Sequence, residues 1–266
     1  MTPSDVTAVA VAWNSREDLP RALASVSGVA STLVVDNASP DGSAGVARGL
    51  GARVIANSEN RGFASAANQA IREASTPLVL LLNPDAELRP GALAALLQAI
   101  TSDPRLAVVG PLTRNEDGTI QLSFGSDLEP WSERRQRHLV DGVRRRDPRV
   151  LAEVERLAGR GHSPDWISAC CWLARREALL SEGLFDEGFF LYEEDADLCR
   201  RLRAGGWQLG FVRDAEVVHR LGRSAALSGG RARREYDRSH LRYYAKWNGP
   251  WLTLLLRLSL LLRGRL

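Results

Sequence analysis

Short, continuously apolar runs separated by stretches with helical spacing dominate the first hundred positions. VTAVAVAW, from Val6 to Trp13, is apolar at successive rather than alternate positions, the pattern of a strand covered on both faces. Asn14 or Ser15 then caps a helix to about Ser27, with Glu17 and Asp18 in its first turn. STLVVDN is a second strand, followed by the turn ASPDGS, a short helix and the third strand ARVIAN. Helical spacing returns from Gly62 to Ala74, PLVLLLN is a fourth strand, and PGALAALLQAI is a helix with Pro90 at its first turn. Strands joined by helices of this length need right-handed crossovers, so the expected fold is α/β, with a mostly parallel central sheet flanked by helices.

The second half is less regular. Gly125 to Ser163 is polar and Arg-rich, with weak helical periodicity from Asp147 to Leu157, and reads as a solvated, mobile insertion. DWISACCWLARREALLSEG predicts a strand running into a helix, GFFLYEEDADLCRRLRAGGW a helix with acids at its start, and AEVV a strand ending at His219. Trp251 to Leu266 predicts a helix with a broad apolar face bordered by Thr253, Arg257, Arg263 and Arg265. After the basic and aromatic RARREYDRSHLRYYAKW, that pattern suits a helix lying in a membrane interface; packing on its own domain or on a partner chain is the alternative.

The apolar run Trp251 to Leu262 is interrupted by Arg257 and falls short of the roughly 18 to 20 residues that cross a bilayer. The N-terminus shows no basic segment followed by an apolar one, so the expectation is a cytoplasmic protein at the inner face of the membrane. At 44% hydrophobic and 25% charged residues the composition excludes a disordered or collagen-like chain. The pI near 9.0 comes from arginine, Lys246 being the sole lysine, and reflects composition bias or anionic partners such as phosphates and lipid headgroups. Cys170, Cys171 and Cys199 are odd in number, two of them adjacent, which argues for reduced core residues rather than a disulfide framework.

Chemistry concentrates in two places. Asn83-Pro84-Asp85 lies just past the carboxyl end of a central strand, where open α/β sheets place their ligands, and Pro84 stops the ladder so that Asp85 is held in a turn. Asp36 ends the second strand on the same rim. Either acid alone is as readily a turn former or helix cap; two on one rim favour ligand binding. The other place is Glu193, Glu194, Asp195 and Asp197 in the first turn of a helix. The helix dipole accounts for some of these acids. Four within five positions repel one another unless a cation, a base or a polyol ligand is near.

VAVAWNSREDLPRALASV, VVDNASPDGS, NRGFASAANQAI, LLLNPDAEL, DWISACCWLARREAL, FFLYEEDADLCRRLRAGG and VVHRLGRSA occur in the order and spacing of family 2 glycosyltransferases, and the chain most resembles their bacterial rhamnosyltransferase branch. The resemblance runs from about Val6 to His219 and more loosely to Pro250. It implies a GT-A (Rossmann-like) domain over residues 1–248, with a nucleotide-sugar half to about 115 and an acceptor half from about 116, followed by the amphipathic helix 249–266. It implies an inverting, metal-dependent transfer from a nucleotide-diphosphate sugar, dTDP-rhamnose ahead of a UDP-sugar, to a glycan or polyprenyl-diphosphate-linked acceptor at a membrane surface. A homodimer is left open.

Carried over residue by residue, Asp85 matches the metal-binding last Asp of the family's DXD motif. Asn83 stands where the first Asp usually does, bringing less charge, and is left to bond ribose. His219 matches a second metal ligand for Mg2+ or Mn2+, imidazole suiting Mn better. Asp36 holds base or ribose with Trp13 and Asn14 beside it, Arg61 resembles the family's diphosphate or nucleotide contact, and Gly62 lets the backbone approach closely. Asp195 corresponds to the catalytic base, with Glu194 and Asp197 positioning the acceptor or orienting Asp195. Trp166 offers a stacking face to an acceptor sugar, or is a core residue.

Two other classes compete with an enzyme of this family. A Rossmann oxidoreductase needs G-x-G-x-x-G after the first strand, where this chain has WNSRED. A noncatalytic nucleotide- or carbohydrate-binding protein accounts for the arginines. Nucleic acid is not expected, because no binding motif accompanies the charge and the acids at 193–197 repel phosphate.

Overall fold

A computed structural model describes residues 1–159, 164–220 and 230–265. The Arg220-to-Ala225 end of the last sequence motif therefore lies outside the described residues beyond 220, as do 160–163 of the Arg-rich stretch and the final residue of the tail.

Eight strands form the main sheet: β1 (Val6–Ala12), β2 (Ser31–Asp36), β3 (Arg53–Ala56), β4 (Leu78–Leu82), β5 (Ala86–Leu88), β6 (Leu106–Arg114), β9 (Cys171–Arg175) and β10 (Gln208–His219). Their order is β3-β2-β1-β4-β9-β6-β10-β5. The first four are mutually parallel, and β6 and β10 run the same way; β5 and β9 run against them. A small ribbon pairs β7 (Phe124–Gly125) with β8 (Trp166–Ile167).

β4 shows why the apolar runs are continuous. All five of its residues are buried, with Val79 and Leu81 facing a cluster that includes Ile71 and Leu198. Leu78, Leu80 and Leu82 face the opposite cluster, with Leu96 and Ile100. Ile71 lies on α3 (Gly62–Glu73), Leu96 and Ile100 on α4 (Ala92–Ser102), and Leu198 on α8 (Glu194–Ala204). Each such side chain contributes about 1.5–3 kcal/mol when fully buried, so a strand sandwiched between helices has no place for a polar residue until it ends. The three cysteines are free and buried.

The helix after β1 is shorter than its pattern suggests: α1 spans Leu19–Ser25. Asn14 adopts φ 53°, which the right-handed helix forbids, and residues 14–18 turn instead. α2 spans Ser43–Gly49. α4 begins at Ala92 behind the left-handed Gly91, so Pro90 belongs to the preceding turn rather than to the helix.

The Arg-rich stretch is not a solvated insertion. It folds as α5 (Pro130–Arg144) and α6 (Pro148–Ala158), whose Leu139, Val143, Val150 and Val154 form a core of their own with Leu112, Phe124 and Phe211. A Cβ on Gly142 would lie 2.6 Å from Val150 Cγ1, so the two helices meet at backbone distance. α7 (Arg176–Ser181) follows β9, and the chain ends in α9 (Arg231–Trp247) and α10 (Gly249–Leu262). Of α10 only Leu260 is buried, while Trp251 is 77% and Leu262 90% exposed. No described helix is long and apolar enough to cross a membrane.

The packing of α5 on α6 is directly measurable. Leu139→Ala removes a side chain that is 2% exposed and is expected to cost about 2–5 kcal/mol in chemical denaturation. A loss below about 0.5 kcal/mol would return this segment to the solvated class.

Candidate functional site

The carboxyl rim of the sheet carries the first half of the site. Leu82, the last residue of β4, pairs with Cys171, the first of β9, and the Asn83 N–H donates to the Cys170 carbonyl at 2.8 Å. The chain then turns at Pro84 into β5, where Ala86 lies opposite His219. That register sets His219 Nε2 3.2 Å from Asp85 Oδ1, while His219 Nδ1 faces Gln121 Oε1 at 3.1 Å. The Asn83 amide nitrogen lies 3.4 Å from the same Nε2. Burial works against an imidazolium here, but Cys170 and Asp85 beside it raise the His219 pKa to about 10. A divalent cation bound by this pair has to displace that proton.

Asp85 and His219 open on a cavity of about 260 Å³ also lined by Trp13, Asn37, Gly62 and Asn83. Asp36, immediately before Asn37, accepts from Ser39 N through Oδ2 at 3.1 Å, and its buried Oδ1 has no partner. The buried Oδ1 of Asn14 has none either. Unpaired buried acceptors at a rim are costly unless a ligand donor meets them. Arg61 is exposed at the start of α3. Gly62 has φ 81°, and a Cβ there would sit 2.4 Å from the Phe190 carbonyl oxygen. The close backbone approach that Gly62 allows is therefore made by the chain's own residue 190, whose carbonyl also accepts from Phe63 N at 2.8 Å.

The second half begins two residues later. Tyr192 and Glu193 are consecutive left-handed residues, φ 72° and 66°, a conformation that costs roughly 1–3 kcal/mol per non-glycine residue. They turn the chain sharply into α8, where the dipole favours the acids of the first turn. Asp195 accepts from Ala169 N through Oδ2 at 3.0 Å and from Ala196 N through Oδ1 at 2.8 Å. Burial raises its pKa against those bonds. Burial and the Asp195 charge raise Glu194 well above the usual carboxylate range, and its buried Oε2 has no partner.

Asp195 lines a larger cavity, of about 760 Å³, together with Trp166, whose indole N–H donates to Ser126 O at 2.8 Å. Tyr192 lines both cavities. Asp85 and Asp195 thus belong to adjoining spaces, tied by the successive residues Ala169 and Cys170.

Asp197 does not belong to either. It is fully buried, with Arg201 Nε at 2.9 Å, Lys246 Nζ at 2.7 Å and the Trp247 indole N–H at 2.8 Å. Two cations and an indole engage its oxygens and join α8 to α9, so of its two expected roles, positioning the acceptor or orienting Asp195, neither is made through a contact to a cavity.

Several participants carry no sequence signal. Gln121 and Ala169 act through one bond each, and Tyr192 reads as another aromatic after an apolar run. His240 is the largest omission: its Nδ1 lies 2.6 Å from Glu193 Oε1 and its Nε2 3.3 Å from Glu133 Oε2. Glu133 also accepts from Tyr244 OH at 2.6 Å, and Tyr236 stacks on the imidazole. Burial opposes the imidazolium, but the two carboxylates raise it to about 10. Glu133, despite burial, is held below its usual range by His240 and Tyr244. Glu193 is raised by burial, its Oε2 lacking a partner, even though His240 pulls it down.

Among the described residues no group of three or more His, Cys, Asp or Glu is placed to hold a metal. Asp85 and His219 supply one oxygen and one nitrogen donor, a set that fits a divalent cation whose remaining positions are filled by phosphate oxygens and water.

Residues 7–179 match the model of "Glycosyl transferase family 2". An N-acetylglucosaminyl-diphospho-decaprenol L-rhamnosyltransferase of Mycobacterium tuberculosis is 34% identical over 281 residues, 97% of this chain and 91% of that protein. Among solved structures, a mannosyltransferase from Pyrobaculum calidifontis in complex with GDP-Man and Mn2+ superposes with a TM-score of 0.65 at 18% identity, over 91% of this chain and 63% of that one. GalNAc-T7 with UDP, GalNAc and Mn2+ gives 0.59 at 17%, over 80% and 42%. These likenesses establish the GT-A fold.

The buried pair at His240 has a pH signature. A histidine whose folded pKa lies above its ordinary 6.5 stabilises fully below that value and loses the contribution as pH rises through about 10. Tyr236 and Tyr244 are pushed above the usual tyrosine range and stay protonated over this window. His240→Gln is expected to lower stability by about 3 kcal/mol at neutral pH, and to flatten the wild-type loss between about pH 6.5 and 10. Parallel melting-temperature curves for the two proteins across that range would show that the histidine is neutral.

Proposed function

Because the chain belongs to glycosyl transferase family 2 and is a glycosyltransferase, we propose that it moves L-rhamnose from dTDP-rhamnose to a hydroxyl of N-acetylglucosamine carried on a polyprenyl diphosphate. The product belongs to cell-wall or surface glycan synthesis, and the anomeric carbon inverts. The sugar and acceptor follow the Mycobacterium tuberculosis relative, which is similar over nearly the whole of both chains. The observation that carries the chemistry is local: Asp195 shares a cavity with Trp166 while its bonded neighbour Ala169 precedes the residue that holds Asn83.

In this reading Asp195 takes the proton of the acceptor hydroxyl as that oxygen forms its bond to the anomeric carbon. The bond from that carbon to the diphosphate breaks on the opposite face, and its electron pair departs with the nucleoside diphosphate. A raised pKa matches such a base to neutral pH, and the Ala169 and Ala196 amides hold the carboxylate in one orientation. Trp166 presents an apolar face to the acceptor ring.

Asp36 and Asn14, each with an unpartnered buried oxygen, receive base or ribose donors beside Trp13. Asn83 bonds ribose and Arg61 reaches the diphosphate. Asp85 and His219 hold Mg2+ or Mn2+, which when bound offsets the charge that grows on the departing diphosphate. The exposed leucines of α10, with Trp251 and Arg257, lie against a membrane surface where a polyprenyl-linked acceptor resides.

Asp195→Asn is expected to lower kcat by roughly 10²–10⁴-fold while the donor dissociation constant stays within about twofold. Normal turnover by this variant removes Asp195 as the base. Asp85→Ala is expected to weaken metal and donor binding together in calorimetric titration, and an unchanged metal isotherm takes Asp85 out of the site. Competition of dTDP-rhamnose against UDP-sugars in the same titration separates the two donor classes.

A further inference from the structure

The larger cavity is built of more carbon than a sugar ring requires. It lies between α5, the start of α8 and the C-terminal pair α9 and α10, with Asp195 and Trp166 on its wall. α10 contributes Leu252, Leu255, Leu256 and Leu260. Monosaccharide sites are made chiefly of polar groups around the ring edge and one stacking face; a leucine-lined space of about 760 Å³ has the size and lining of a site for a hydrocarbon ligand.

Its mouth can be located. Trp131 of α5 and Leu255 of α10 line the cavity and are nevertheless 79% and 61% exposed, so they stand at its edge. Leu255 also belongs to the exposed apolar row of α10 that includes Leu254, Leu258 and Leu262. The apolar interior and the apolar outer surface are therefore continuous.

The charges on the wall complete the pattern. Glu133 and Glu193 are engaged by His240, and Asp237 by Arg265. Arg137 and Arg263 add positive charge to the same wall. The wall thus combines a carboxylate and an indole, arginines, and leucines that reach an exposed edge, groups that suit the sugar, the diphosphate and the hydrocarbon of a lipid-linked acceptor.

We infer that this cavity is the binding site for the first isoprene units of a polyprenyl-diphosphate acceptor, the chain entering between Trp131 and Leu255 from the surface on which α10 lies. The inference rests on the acceptor class proposed above and adds the place where its lipid is held. The volume is far too small for a whole carrier lipid, so only the part nearest the diphosphate is recognised, and the rest stays in the bilayer.

The test uses the full chain and N-acetylglucosamine diphosphates bearing methyl, prenyl, geranyl or farnesyl groups. Each fully buried methylene is worth about fourfold in affinity, so KM is expected to fall stepwise along the series by at least about tenfold, with kcat changing little. Leu255→Glu, at a position already largely exposed, is expected to raise KM for the farnesyl acceptor at least about tenfold more than for the methyl one. Leu180→Glu, on the exposed side of α7, leaves the whole series unchanged. A KM independent of chain length overturns the inference, as does a Leu255→Glu effect equal for all four acceptors. Should no acceptor of any length be glycosylated, the proposed reaction fails, and farnesyl diphosphate binding followed by tryptophan fluorescence decides the cavity separately. Saturable binding weakened about tenfold by Leu255→Glu supports it; absent binding, or binding equal in both proteins, overturns it.

Discussion

Two hydrogen bonds, one residue apart in β9's approach to the sheet, hold the acid-bearing ends of two distant segments together. The Asp195 carboxylate accepts from Ala169 N, and the Cys170 carbonyl accepts from Asn83 N. They exist because β9 enters antiparallel between β4 and β6, so that its first residue, rather than its last, meets the carboxyl rim. A parallel strand in that place would deliver its end, with Arg175, to the rim and carry Ala169 to the far side of the sheet. The sheet's one reversed internal strand is thus what ties the segment bearing Asp195 to the turn bearing Asp85.

Electrostatics then gives the clustered acids different surroundings. Like charges this close cannot all ionise in a buried setting without partners. Asp197 receives two cations and an indole, and Glu193 shares His240 with Glu133. Glu194 is raised well above its ordinary range, and Asp195, held by the Ala169 and Ala196 amides and the Ser168 hydroxyl rather than by a cation, faces a cavity. Of the neutralising cations, His240 and Lys246 come from α9 and Arg201 from α8 itself, so α9 belongs to the electrostatics of the acid turn as well as to the cavity wall.

The parts of this arrangement that were legible in the sequence are those governed by local rules. Continuous apolar runs marked β1, β2 and β4, and the break at Asn83-Pro84-Asp85 marked the rim, because a sandwiched strand admits polar residues only where it ends. Asp36 fell on the same rim for the same reason. What local rules do not encode is register between distant strands: nothing near residue 171 announces that β9 runs backwards, or that Ala86 will face His219. The arginines of 134–137 and 144–149 outweighed a sparse apolar stripe, and Leu139, Val143, Val150 and Val154 become a core only when α5 and α6 are laid together. Asp197 was grouped with Asp195 by proximity in sequence, whereas its cationic partner Lys246 is about fifty positions away on another helix.

Gly62 shows how the two cavities are made to depend on each other. With no side chain at 62, the Phe190 carbonyl reaches the first turn of α3 and takes the Phe63 N–H, closing the smaller cavity with residues that lead directly into the acid turn. From Phe190 the chain needs only Leu191, the left-handed pair Tyr192 and Glu193, and Glu194 to arrive at Asp195. Tyr192 lines both cavities, so one side chain bounds the two spaces. A side chain at 62 would have to displace the Phe190 carbonyl, at the head of the segment that leads into the acid turn, so the packing of the smaller cavity and the entry to α8 are not independent.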